Sequence, residues 1–474
     1  MQLDESGLNF SEISLLMQAE VAIEERRASS QSEPDASAVR APYKILLNGY
    51  CGSGNIGADI RTGEIIRQLL VLFPSDQVRI FYTCSQPLDY EPFSLIDVEE
   101  REMGANEFLS DYDGVIIVEG SVFKSNFSNV MAISFISALA LAAAEGKLSV
   151  AYGAEAGKMS AEVSDFAKVN SSESLVIARS QQSFDIVSRE LGYRAVLGAD
   201  TAWTYQPSSP ELGGRLLKQA GWDGQAKVVC IAPINPFCWP AKPDFKKYAE
   251  LKESGKHRES HCRSVFFYND SKKAKARYEE YLTSIARAIS RYGETSTIFP
   301  VLIGMESLDR KACLDLKKEL GVDVPMFVSS EYSADEVVSL LRAGSMVISS
   351  RYHALVTSMP ANVPGIGITI DERITNLMCD RGCPELVVDV SSPSLSDELF
   401  ALMQKVSNRD IEPLEELDSF MARQLSRISD MGRALCGEVS SKLPYVDVPD
   451  KDSDMKTFLP ELSSGVRSFL GYTE

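Results

Sequence analysis

Tyr43-Lys44-Ile45-Leu46-Leu47-Asn48-Gly49-Tyr50-Cys51-Gly52-Ser53-Gly54-Asn55-Ile56-Gly57 is the stretch that decides how this chain folds. An apolar run of strand length, Tyr43–Leu47, enters a glycine-rich turn. Beyond the turn, Ile65, Ile66, Leu69, Leu70 and Phe73 recur at helical spacing. Strand, tight turn and amphipathic helix in that order open a parallel α/β domain. Gly52-Ser53-Gly54-Asn55-Ile56-Gly57 is also a literal GxGxxG in its proper context. Glycines there let a backbone approach a ligand, and a helix N-terminus favours an anion. A dinucleotide would require an acidic residue about 20 positions on, at the end of the next strand. That strand ends Tyr82-Thr83-Cys84-Ser85, and Asp76 precedes it. The turn is therefore read as structural or as the loop of a different ligand.

The same alternation extends outward. Short apolar runs at Val78–Thr83, Gly114–Val118, Leu148–Tyr152, Leu175–Ala178 and Arg194–Leu197 continue a first parallel sheet. After a Pro207–Pro210 hinge, Val228–Pro233, Thr297–Ile303, Met326–Ser329, Met346–Ser349, Gly365–Ile368 and Leu386–Val390 build a second, with helical patterns such as 274–291 and 334–341 between them. The expected fold class is α/β: a doubly wound domain over 41–206 and another over 215–392. Residues 1–40 precede them as a helix and a polar linker. Residues 393–440 are expected to brace the domains as helix, and 441–474 to form a loosely attached tail. The segment 236–273 interrupts the second domain after its first strand, at the end where such sheets bind ligands. Lys242, Lys246 and Lys247 make it basic. It either covers the cleft and guides an anionic acceptor, or is a plain surface excursion.

Composition excludes several classes. Of 474 residues, 48 are Lys or Arg and 67 are Asp or Glu, a net charge of −19. A general nucleic-acid binder needs a basic face, so nucleic acid is not an expected partner. The most apolar stretch, Met131–Ala144, is shorter than the roughly 20 residues a membrane span needs and reads as a buried helix. No secretory leader is visible at the start. The nine cysteines are scattered without a CxxC pair, as suits reduced thiols in a cytoplasm. His257, His261 and Cys262 cluster in a Lys/Arg-rich stretch without a second ligand pair; they are read as loop, and no metal site is expected.

The chemistry-bearing block is Ser349-Ser350-Arg351-Tyr352-His353-Ala354, where a strand ends and a helix begins. A guanidinium beside helix N-terminal donors is electrostatically poor unless an anion lies between them. Arg179 follows a strand of the first half in the same way, so two arginines are expected to converge across the cleft. His353 is the proton-transfer candidate. Asp371, Glu372 and Arg373 follow the next strand on the same edge.

Ser349 to Val356, then Val363-Pro364-Gly365-Ile366-Gly367-Ile368, then Asp371, Arg373 and Gly382, resemble the polysaccharide pyruvyl transferase family. Asn55-Ile56-Gly57, Asp111–Gly120, Tyr152–Gly157, Ala178–Ser183 and Gly198–Asp200 extend the resemblance over most of 43–390. It implies a glycosyltransferase-B-like pair of Rossmann-like domains facing a cleft. It also implies transfer of a pyruvyl group from phosphoenolpyruvate, as co-substrate, onto two hydroxyls of a sugar in a polysaccharide or glycolipid precursor. Phosphate leaves and no further cofactor is needed. On this resemblance Arg351 and Arg179 are the anion clamps, Ser350 and Tyr352 line the donor, and His353 is the acid/base or phosphate ligand. The second domain takes the donor and the first the acceptor. Asn55, Gly57, Asp59, Glu119, Asp371, Glu372 and Arg373 are assigned to a ligand loop or the acceptor side. The acceptor is a saccharide, lipid- or nucleotide-linked, with at most peripheral membrane association, and a homo-oligomer is compatible. The chain departs from the family pattern at Ala58 (with Asp59 displaced by one), at Glu119-Gly120-Ser121 in place of three glycines, and at Ser180 in place of Asp. Two competing readings stand beside this one: a nucleotide-sugar glycosyltransferase of the same fold, and a non-catalytic carbohydrate-binding or assembly protein.

Overall fold

The computed structural model describes residues 8–29, 42–84, 88, 91–100, 109, 111–170, 173–209, 211–256, 265–410 and 416–471. His257, His261, Cys262, Pro210 and most of the linker lie outside them. The first sheet holds β1 (Tyr43–Asn48), β2 (Val78–Cys84), β3 (Asp97–Glu100), β4 (Gly114–Ile117), β5 (Leu148–Ala154), β6 (Leu175–Ala178) and β7 (Arg194–Leu197). All pairings are parallel, in the order β3-β2-β1-β4-β5-β6-β7. A parallel sheet has both faces covered, so its inner strands are continuous apolar runs rather than alternating ones. Every residue of β4, β5 and β6 is buried accordingly. β3 had no signal in the sequence: it is an edge strand of Asp, Val and two Glu.

The second domain begins with β8 (Lys227–Ala232). Its insert contributes a small antiparallel hairpin of β9 (Lys242–Pro243) and β10 (Phe266–Phe267). Then follow β11 (Ile298–Gly304), β12 (Met326–Val328), β13 (Met346–Ser349), β14 (Gly365–Thr369) and β15 (Val387–Asp389). The sheet order is β12-β11-β8-β13-β14-β15, all parallel. The second domain therefore carries the doubly wound order 3-2-1-4-5-6 and the first the same order with a seventh strand added, and each reverses direction beside its own first strand.

Local sequence explains the helices. Asn55 caps the helix Ile56–Leu72 by accepting from the Ala58 N–H (3.2 Å). Ser333 and Glu336 form a capping box on Ala334–Arg342. Tyr278, Leu282, Ile285, Ile289 and Tyr292 give Lys272–Thr295 one buried stripe. The helix Asn129–Ala144 is buried almost throughout, and among the described residues no helix is long and apolar enough to cross a membrane.

The C-terminal part corrects one expectation. The helix Leu417–Lys442 returns to the first domain, where Met431 lies against Ala199 and Glu438 pairs with Arg194 at 2.7 Å. The segment after it is no loose tail. Phe458 and Val466 are fully buried, and Gln68 Nε2 donates to the Phe458 carbonyl at 2.6 Å. Too few apolar residues stand there to show a period, yet Leu443, Phe458, Leu459 and Val466 all find seats. At the other end of the chain, Ile13, Met17 and Val21 of the helix Phe10–Ser29 are exposed while Ile23 is buried, so its apolar pattern does not mark its packed face.

Candidate functional site

The carboxyl ends of β1, β4 and β6 meet those of β11, β13 and β14, and a cavity of about 70 Å³ lies between them. Tyr50, Asn55, Arg61, Glu119, Gly120 and Arg179 reach it from the first domain, and Met305, Arg351, Tyr352, His353 and Arg373 from the second. Residues assigned from the sequence to the donor and to the acceptor side thus line one cavity between the domains. The glycine-rich turn forms a clasp between the domains. Ile56 N–H donates to the Met305 carbonyl (2.9 Å), while Gly54 O accepts from Ser307 N–H (3.1 Å) and Ser329 Oγ (2.9 Å).

Arg351 is held by carboxylates. Its Nε donates to Asp309 Oδ2 (2.9 Å), and its Nη2 meets Asp309 Oδ1 and Glu306 Oε2, the latter at 2.6 Å. The expected imbalance of a guanidinium beside helix donors is therefore repaired by two acids that follow β11, without a ligand. Burial, seconded by Glu306, pushes the Asp309 carboxyl up, against the pull of Arg351. Arg179 is likewise engaged: Nε pairs with Glu155, Nη1 donates to Asp200 Oδ2 (2.8 Å), and the guanidinium covers the Tyr352 ring at 4.3 Å. Among the described residues, Nη1 of Arg351 and Nη2 of Arg179 take no hydrogen bond, so each arginine keeps one donor edge.

Asp200 is the hub. Its carboxylate faces Arg179, His353 Nε2 at 3.4 Å and Arg61 Nε at 3.9 Å. Burial would raise its pKa, but His353, Arg179 and Arg61 outweigh that and hold it well below the usual carboxylate range. Burial lowers the His353 pKa, opposed by Asp200 and seconded by Arg179 and Arg61, which favours the neutral imidazole. Its Nε2 makes no well-formed hydrogen bond despite the nearby carboxylate. Arg61 is buried and spends its Nη groups on the carbonyls of Val118, Tyr152 and Gly153.

Arg373 differs from the other cations. Only its Nε is used, on Asp371 at 2.9 Å, and neither Nη has a partner among the described residues. Burial opposes ionisation of Asp371, yet Arg373 and Lys124 keep that carboxyl well below the ordinary range.

Asn55, Glu119, Arg179, Arg351, Tyr352, His353 and Arg373 thus share one cavity, while five other residues named from the sequence do not line it. Ser350 Oγ pairs with Tyr281 Oη at 2.8 Å beneath the sheet. Asp59 turns back under the loop to accept from Gly52 N–H (2.9 Å). Asp371 holds Arg373, and Glu372 pairs with the buried Lys124 at 2.9 Å. Gly57 supports the site from outside: a Cβ there would stand 2.2 Å from His353 Nδ1. The departures from the family pattern also find reasons. A Cβ on Gly120 would lie 2.9 Å from Arg179 Nη1, so the middle glycine of the three is the one that lies against the arginine, while Glu119 accepts from Ser121 N–H (3.0 Å). Ser180 caps the next helix turn through Ser183 N–H (3.3 Å), the job an Asp would do there.

Sequence reasoning missed Arg61, Glu306 and Asp309. Arg61 was legible as a lone cation on an apolar helix face. Glu306 and Asp309 follow a strand end by the same rule that singled out Arg351.

A doubly wound pair with its ionisable groups gathered at strand ends across the interdomain cleft is a protein of the glycosyltransferase-B type. The family model for polysaccharide pyruvyl transferase matches residues 55–372, and the chain belongs to that family. No curated protein matches the sequence. Among solved structures, similar ones include the UDP-GlcNAc 2-epimerase from Methanocaldococcus jannaschii, with 11% identity over 78% of this chain and 94% of that one, TM-score 0.47. Others are a ugt transferase from Siraitia grosvenorii in complex with UDP (12%, 84% and 100%, TM-score 0.44) and the ADP-heptose LPS heptosyltransferase II of E. coli (13%, 78% and 100%, TM-score 0.36).

Proposed function

We propose that the chain transfers a pyruvyl group from phosphoenolpyruvate to two hydroxyls of one saccharide, forming a cyclic ketal and releasing inorganic phosphate. The observation that carries this reading is the set of unspent donor edges on Arg179, Arg351 and Arg373 around His353 in one small cavity. The three guanidiniums take the carboxylate and phosphate through planar, charge-assisted pairs.

The steps balance as follows. Imidazolium at His353 delivers a proton to the methylene carbon of the donor, leaving C2 electron-deficient. A sugar hydroxyl adds to C2 and gives up its proton to the imidazole. The second hydroxyl displaces phosphate, whose oxygen leaves with the C–O bonding pair, and its proton goes to phosphate or solvent. The cations supply the charge stabilisation, so the reading needs no metal. Activity is expected to survive chelation with EDTA.

The test is release of inorganic phosphate from phosphoenolpyruvate that depends on a saccharide, with the ketal identified by mass spectrometry. His353→Gln is expected to lower kcat by about 10²–10⁴ with little change in KM for the donor, and Arg351→Lys mainly to raise that KM. Binding of UDP or GDP sugars without binding of phosphoenolpyruvate would overturn the reading.

A further inference from the structure

An arc of aromatic side chains leads outward from Arg373, one of the residues that line the cavity. It starts at Arg373, whose guanidinium carbon lies 4.5 Å from the centre of the Phe127 ring. Phe127 meets Trp239 edge-on at 5.5 Å, and Trp239 meets Tyr268 at 5.5 Å with their planes only 37° apart. Tyr268 lies close enough to Glu306 and Arg351 to feel both charges, and Tyr50 on the opposite wall feels Tyr268. One end of the arc thus lies against Arg373, and the other comes within electrostatic reach of Arg351 and Tyr50, all three of which line the cavity.

Trp239 and Tyr268 belong to the insert after β8, and the insert is fastened where it crosses the cleft. Ala241 N–H donates to the Phe127 carbonyl of the first domain (2.8 Å). Asn9 Nδ2 donates to Pro243 O (3.0 Å), and Asn269 N–H to Cys238 O (2.9 Å). The insert, an outgrowth of the second domain closed on itself by Asn269, is thus tied to the first domain and to the N-terminal segment. Its open polar groups are few. The Trp239 indole N–H and the Tyr268 hydroxyl take no hydrogen bond among the described residues, and Tyr268 is 40% exposed. A pyranose has an apolar face of C–H bonds and a rim of hydroxyls. Aromatic rings that carry one polar handle each match both parts.

We propose that Trp239 and Tyr268 form the seat of the acceptor: a hexopyranose ring stacks on them and presents two hydroxyls to the cavity between Arg351 and Arg373. This rests on the pyruvyl-transfer reading for what happens next, but the stacking itself does not require it. The sugar is then held mainly by the insert of the second domain, together with Phe127 of the first. The lysines of the insert's exposed helix Phe245–Glu253 are no part of this seat, and Lys247 is itself over the Phe267 ring at 4.3 Å.

The experiment measures binding of the full chain, with and without phosphoenolpyruvate, to an array of α- and β-linked galactose, glucose, mannose and N-acetylglucosamine pyranosides. Calorimetry measures phosphoenolpyruvate binding in parallel. At least one pyranoside is expected to be retained. Trp239→Ala should weaken it tenfold or more and Tyr268→Ala several-fold, with Trp239→Phe close to wild type and donor affinity unchanged in all three. Unchanged pyranoside binding in both alanine variants, or no pyranoside bound by the wild type, overturns the seat. Should Trp239→Ala fail to fold, the exposed Tyr268→Ala decides. Loss of pyranoside binding in a chain that never binds phosphoenolpyruvate would leave the seat standing and remove the pyruvyl reading. The reverse, ketal formation with an unaltered acceptor KM in both variants, removes the seat alone.

Discussion

A buried guanidinium is tolerable where carboxylates or carbonyls surround it, and Arg61, Arg179 and Arg351 each meet that condition before any substrate arrives. His353 is the group left adjustable. Its neutral form is favoured in the free protein because burial outweighs Asp200, and an anion placed in the cavity would favour its charged form. Binding of phosphoenolpyruvate is therefore expected to take up a proton near pH 7, so the donor would itself charge its acid. Calorimetry in buffers of different ionisation enthalpy measures this, and His353→Gln should abolish the uptake. Asp59 provides a second titration with a clear sign. Burial pushes it up to about 7, against the Gly52 N–H. In the unfolded chain it titrates at about 3.9, as an ordinary aspartate does. Between those values the folded state holds the extra proton, so its contribution to stability falls as pH rises through that window. Asp59→Asn keeps an acceptor for Gly52. It should be more stable than wild type at pH 8 by about 4 kcal/mol, the gain shrinking as the pH is lowered to 5. Urea melts at both pH values check it.

At the scale of elements, the site is made where two helix starts abut. Gly57 is the second residue of Ile56–Leu72, and His353 the second of Tyr352–Ser358. The imidazole occupies the space a Cβ of residue 57 would fill. Gly57→Ala is then expected to displace His353 and lower kcat by at least tenfold. The fold should persist, because Ala is the better helix residue by about 1 kcal/mol. Parallel kinetics and thermal melts separate the two effects; a large fall in melting temperature would mean that the clasp, rather than the imidazole, gave way. A similar fit occurs at Gly157, where a Cβ would run into Glu372 of the other domain.

Over the whole molecule, the chain crosses between domains more than once. The glycine-rich turn clasps the second domain, the insert reaches the first, and Leu417–Lys442 with the segment behind it returns to the first domain. Phe458 sits at 0% exposure between that helix and Gln68. Phe458→Ala should destabilise the protein by about 3–5 kcal/mol. A denaturation midpoint near wild type would show that this segment packs only weakly.

Periodicity and strand-end logic determined much from sequence alone. The twelve strands read as apolar runs all appear in the two sheets, because buried parallel strands announce themselves by unbroken hydrophobic stretches. Arg179, Arg351, His353 and Arg373 were legible because a charged residue directly after a strand lies at the ligand-binding edge. Tertiary structure alone decided the rest. That Glu306 and Asp309 would neutralise Arg351 and that Asp200 would join Arg179 to His353 depend on residues far apart in the chain, while Asp59 turns away through a contact within its own loop. Edge strand β3 and the docked C-terminal segment escaped for a related reason: their stability comes from the surface they meet, not from any pattern they carry. Local sequence specifies which elements form and which end of a strand is exposed, while the partner of a buried charge is specified only once distant elements are brought together, within one domain for Arg351 and across the cleft for His353.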